Sequence, residues 1–80
     1  MEDVLREINK IGIEVFQKPN LQLKISDSPL EIEGWDSLNH VILITAIEDR
    51  FSITFSFRDL ASIKNVGSLV NIVESKIKSR

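Results

Sequence analysis

The 80-residue chain has no cysteine, which excludes disulfides, thiolate nucleophiles and sulfur-ligated metals together. With a single histidine besides, it has few ways to assemble a catalytic constellation. Long apolar runs are also missing. The longest, Val41-Ile42-Leu43-Ile44, is far below the roughly 20 residues of a membrane-spanning helix. The charged Met1-Glu2-Asp3 start does not read as a signal peptide, so the chain is expected to be cytoplasmic. Glycine and proline are scarce, at three and two residues, as befits an ordered chain rather than a linker or a collagen-like repeat. Positive charge is absent from the middle: between Asp27 and Asp49 there are six acids (Asp27, Glu31, Glu33, Asp36, Glu48 and Asp49) and neither lysine nor arginine. A phosphate backbone needs a dense basic patch, so nucleic acid is excluded as the main ligand.

What is present is enough for one small domain, residues 1–80, with one modest core held by packing alone. Hydrophobic residues at 42% and charged residues at 28% place it among chains that fold by themselves. Val4, Ile8, Ile11 and Val15 form a helical stripe over residues 2–17, which Pro19 ends. Residues 18–36, broken by Pro19, Pro29 and Gly34, read as a long connection that Leu21, Leu23, Ile25, Leu30 and Ile32 pin to the core. A loop of that length in a compact domain usually carries function.

A second helix is predicted from Asp36 or Ser37 to Arg50, apolar on two sides. Successive steps of 100° place His40, Leu43, Ile44, Ile47 and Phe51 on one face and Leu38, Ile42, Thr45 and Asp49 on nearly the opposite one. The first is expected to pack inward and the second to face outward. Phe51, Ile53, Phe55 and Phe57 alternate with polar residues as in a strand, but a lone strand would have no ladder partner. The segment is therefore predicted to be an extended loop that inserts its apolar side chains. A short helix follows, with Ser56 as N-cap and Asp59 completing an imperfect capping box. Asn65 caps the last helix, whose stripe is Val66, Leu69, Val70, Val73 and Ile77. The predicted fold is all-α, a bundle of three longer helices and one short one, with the second helix central.

The informative segment is Gly34-Trp35-Asp36-Ser37-Leu38. Asp-Ser-Leu alone is a common string. Here it stands at the head of the central helix, followed by Ala46-Ile47-Glu48-Asp49-Arg50-Phe51 at that helix's end and Val66-Gly67-Ser68-Leu69-Val70 at the start of the last. With these features the chain resembles the acyl carrier protein family, which includes peptidyl carrier domains, over nearly its whole length. The resemblance implies a non-enzyme. A phosphopantetheinyl transferase, using coenzyme A and Mg²⁺, would join 4'-phosphopantetheine to the Ser37 hydroxyl through a phosphodiester. Loading and acyl-transferring enzymes would be the other partners of what is expected to be a monomer. A helix start suits an anionic phosphodiester, since its free N–H groups and dipole favour negative charge.

Other readings of the same residues are blander. Ser37 in isolation would be a cap, and the whole chain a helical interaction module without a cofactor. Asp36 has two readings, an N-cap and a contact for the transferase. His40 reads as a partly buried packing residue and Trp35 as the anchor of the loop. A hydrolase triad of Ser37, His40 and Asp36 is rejected, because neighbouring positions on one helix supply no oriented base, pocket or oxyanion hole. Leu38 and Ile42, together with Asp36 and Asp49, are the predicted docking residues for partner enzymes. Asn39 and Ile42 occupy positions where fatty-acid carriers often have acids, which points to a specialised carrier of acyl cargo, or alternatively of aminoacyl cargo.

Overall fold

The computed structural model describes residues 2–79 and contains four helices and no strand among them: α1 (Glu2–Phe16), α2 (Ser37–Phe51), α3 (Phe57–Ala61) and α4 (Val66–Lys78). No described helix is long and apolar enough to cross a membrane. The predicted stripes meet in one core. Ile8 from α1, Leu43 and Ile47 from α2, and Val66, Leu69, Val70 and Val73 from α4 are almost wholly withdrawn from solvent. The most extensive helix–helix contacts are those of α1 with α2 and of α1 with α4, so α1 rather than α2 is the shared neighbour. The second face of α2 points outward, as predicted, with Leu38 and Ile42 exposed and Val41 exposed beside them.

The helix ends are set by local chemistry. After α1, Gln17 adopts a left-handed conformation (φ 55°) and Lys18 N–H returns to the Ile13 carbonyl at 3.1 Å. The same motif closes α2, where Ser52 is left-handed (φ 56°) and Ile53 N–H donates to Glu48 at 3.1 Å. This is the arrangement usually served by glycine, which lacks the Cβ that makes it costly. Ser56 and Asp59 close a full reciprocal capping box on α3, as do Asn65 and Ser68 on α4. Asp59 also receives Lys76 of α4 at 2.7 Å. The Lys76 ammonium, followed by the Ser56 N–H, holds the Asp59 carboxyl down at about 2.

The segment after α2 is extended and irregular, as predicted, and Phe55 is buried with its N–H donated to the Glu48 carboxylate at 2.8 Å. Phe57 departs from the expected alternation. It begins α3, so the two-residue period ends at the Ser56 cap, and its ring is 93% exposed.

The long connection is held at three places. Asn9 of α1 clamps its extended start, donating to the Leu21 carbonyl at 3.0 Å and accepting from Leu23 N–H at 2.7 Å. Further on, the carbonyls of Ile25 and Asp27 accept the Gly67 and Val66 N–H groups, each at 2.8 Å. These are two of the orphan donors of the α4 N-terminus. Gly67 permits that approach, since a Cβ there would lie 3.1 Å from the Ile25 carbonyl and would run into the Ile25 side chain. The third hold is Trp35, which is buried. Leu23 is buried and Leu21 and Ile32 half-buried, but Ile25 is largely exposed and Leu30 wholly so. Backbone hydrogen bonds fix the stretch around Ile25. Ser28 and Glu31 fold the next residues into a turn that carries Leu30 outward.

Two substitutions test this account. Ile47→Ala, at a site with no exposed surface, is expected to cost about 2–5 kcal/mol in urea unfolding. Ser52→Gly relieves a left-handed non-glycine residue at a helix end and is expected to add about 1 kcal/mol. An unchanged midpoint for Ile47→Ala would mean that the packed face of α2 is misassigned.

Candidate functional site

The site is built on the junction between the long loop and α2. Gly34 turns the chain in a left-handed conformation (φ 92°) that a side chain would strain. Its carbonyl accepts the Asn39 side-chain amide at 2.7 Å, so the turn is tied to the first turn of α2. Next, Trp35 drops inward. Its ring packs against Phe16 with centroids 5.8 Å apart, and against His40 at 6.0 Å. The indole Nε1–H donates to His40 Nδ1 at 2.9 Å.

Asp36 is the N-cap. Its Oδ1 accepts the Asn39 N–H at 2.8 Å and its carbonyl accepts the His40 N–H at 2.8 Å. Of the two roles weighed for Asp36, the structural one is therefore present. Because Asp36 caps the helix, Ser37 is released from that duty: it is the first helical residue, exposed, and its Oγ has no hydrogen-bond partner among the described residues. The Ser37 and Leu38 N–H groups likewise have no backbone acceptor, as first-turn donors cannot find one within the helix. A free hydroxyl beside two free N–H groups at the positive end of a 15-residue helix can hold an anion esterified to that hydroxyl.

Beside Ser37 lies a groove of 490 Å³ lined by Pro29, Trp35, Asp36, Ser37, His40 and Ile63. A wider depression of 540 Å³ between the turn at Ser52 and the end of α4 contains none of the predicted site residues, and its Lys76 is already paired with Asp59.

Asp36, Ser37, Leu38 and Ile42 are brought together in the first two turns of α2, with Leu38 70% and Ile42 44% exposed. Asp49 is exposed too but lies twelve residues from Ser37, about 18 Å further along the axis. Sequence reasoning missed three features. Val41 extends the exposed apolar stripe. Asn39 ties Gly34 to the helix, and His40 is the acceptor for Trp35 rather than packing alone. The Val41 omission was avoidable, since it lies 100° from Ile42 and next to the stripe. The Trp35–His40 bond had no sequence signal.

A family model described as a phosphopantetheine attachment site matches residues 6–73. A curated relative named acyl carrier protein 3, from Ralstonia nicotianae, is 32% identical over 77 residues, covering 96% of this chain and 88% of the relative. Among solved structures, the solution NMR structure of holo acyl carrier protein from Geobacter metallireducens matches with a TM-score of 0.89 at 33% identity. That match covers 95% of this chain and 87% of the other.

The anchor of the site is pH-sensitive. Burial pushes the His40 imidazole below its ordinary 6.5. The unfolded chain therefore takes up the proton first, so the contribution of His40 to stability is complete above about 6.5 and is lost as the pH falls through the lower folded value. Protonation also turns Nδ1 from acceptor to donor, which is incompatible with the Trp35 N–H. The single indole N–H resonance should shift on acidification with a midpoint below 6.5, together with the His40 ring signals. An indole signal indifferent to His40 titration would show that the bond is not formed.

Proposed function

The chain belongs to the acyl carrier protein family, and from that premise we propose that Ser37 bears its phosphopantetheine in a single-domain, monomeric carrier working in the cytoplasm. Members of the family are carriers rather than enzymes, and they meet transferases and acyl-handling enzymes. The observation that carries the assignment is the division of labour between two neighbours. Asp36 caps α2, which leaves the Ser37 hydroxyl exposed and unengaged at the head of the helix.

The residues present fit the group. The free first-turn N–H groups suit a phosphodiester, and the groove beside Ser37 offers a partly apolar wall to a flexible arm. When bound, the arm supplies a thiol on which an acyl group is held as a thioester. Because the chain contains no cysteine, no internal thiol competes for that acyl group by exchange.

Partner recognition is assigned to the exposed side of α2. The acids of residues 27–49 favour encounter with basic surfaces, while Leu38 and Ile42 supply the desolvated contact, with Asp36 and Asp49 at the two ends. An apolar residue at position 42 and an amide at 39, in place of acids, favour dedicated enzymes of a specialised biosynthetic route over housekeeping fatty-acid synthesis.

Coexpression with a promiscuous phosphopantetheinyl transferase should add one phosphopantetheine mass to the wild type and none to Ser37→Ala, with helix content equal in both. Modification of Ser37→Ala would place the attachment elsewhere. Ile42→Glu should still fold and accept the arm, but should be loaded by its pathway enzyme at least ~10-fold less efficiently, as for the loss of a contact worth about 1.4 kcal/mol or more. Loading equal to wild type would remove Ile42 from the docking surface.

A further inference from the structure

The groove beside Ser37 contains an imidazole whose proton is placed by its neighbour. An indole N–H is a donor only, so His40 Nδ1, 2.9 Å from Trp35 Nε1, must accept. A neutral imidazole with its lone pair at Nδ1 carries its hydrogen at Nε2. Nε2 has no hydrogen-bond partner among the described residues. Since no buried side-chain nitrogen or oxygen there lacks a partner, Nε2–H meets solvent.

Its surroundings limit what it can serve. His40 is three residues after Ser37, which places their Cβ atoms about 5–6 Å apart on one side of the helix. Helical side chains lean toward the N-terminus, and the bond to Trp35, which precedes Ser37, confirms that the ring does so. Both side chains line the same groove. Asp36 is the other ionisable side chain on its wall, and its Oδ1 is engaged by the Asn39 N–H. Burial keeps His40 neutral at neutral pH, so the donor at Nε2 is the resident form. A residue that only held Trp35 in place would need Nδ1 and nothing more.

We propose that His40 binds the base of the prosthetic arm, its Nε2–H donating a hydrogen bond to the phosphodiester at Ser37 while Trp35 fixes the tautomer. The proposal rests on Ser37 being the attachment point. It makes Trp35 a positioning residue that acts through His40, and it gives the arm a preferred departure along the groove toward Ile63.

The test compares apo and holo protein labelled with ¹⁵N, after intact-mass and peptide analysis has located the modification. His40 is the only histidine, so its ring signals are unambiguous. Titration from pH 8 to 5 should show the proton at Nε2 in the neutral form of both. The midpoint should rise in the holo form by about 0.5 or more, because the adjacent anion favours the imidazolium. The rise should persist in high salt, where distant charges are screened. The ³¹P signal of the holo wild type should inflect at that midpoint, and that of holo His40→Gln should not. Equal midpoints in apo and holo protein, or a rise abolished by salt, would overturn the proposal while leaving a modified Ser37 intact. Absence of the phosphopantetheine mass at Ser37 would overturn the attachment reading and this proposal together.

Discussion

The burial of Trp35 joins two parts of the chain that would otherwise move independently. A connection of twenty residues, from 17 to 36, precedes α2 and has no regular ladder of its own. Its last residues are nonetheless placed accurately, because the indole packs on Phe16 of α1 and bonds to His40 of α2. Phe16 is the final residue of the first helix, so one side chain connects the end of α1 to the start of α2 across the whole loop. The cap at Asp36, the turn at Gly34 and the presentation of Ser37 follow from that anchorage. Without it the loop would still be tied to α1 by Asn9, to α4 by two backbone bonds and to the first turn of α2 by Asn39, but its end beside the serine would lose its packing on α1.

Much of this was legible in the residues, for physical reasons that differ by element. The helices α1 and α4 carry single stripes at helical spacing, and Asn65 marks the start of α4 by its capping chemistry. The inward face of α2 followed from summing residue angles, although the helix is apolar on two sides. The same angles placed Leu38 and Ile42 on the outward side, where they border water. The loop was the least legible part. Leu30 has the composition of a core residue and none of its burial, because backbone geometry there is governed by the Ser28–Glu31 turn. Asn9 is the converse case: a poor helix former in mid-helix, retained because its amide satisfies two loop backbone groups at once. At the site, Ser37 stood out only through its place among other motifs, and the contact between Trp35 and His40 depended on tertiary folding.

Electrostatics divide the molecule in a way that composition alone conceals. The net charge of −2 is small, yet the stretch from Asp27 to Asp49, which covers the end of the loop and most of α2, contains six acids and no lysine or arginine. Several basic groups are committed to internal pairs: Arg50 with Glu7, Lys18 with Glu33 at 3.0 Å, and Lys76 with Asp59 at 2.7 Å. Surface pairs of this kind add little to stability. They hold positive charge against Glu7, Glu33 and Asp59, while Asp27, Asp36, Glu48 and Asp49 make no ion pair among the described residues.

The two hydrogen bonds between the loop and α4 have a kinetic consequence. First-turn amides of a helix ordinarily exchange with solvent freely, since they have no acceptor within the helix. In this chain the Val66 and Gly67 amides are held by the carbonyls of Asp27 and Ile25. Their protons can leave only when the loop lifts, so their exchange rates measure the opening of the connection rather than the fraying of α4. The same connection ends at Ser37. The stability of the serine's support is thus recorded in isotope uptake at two positions on a different helix, where it can be read without perturbing the serine.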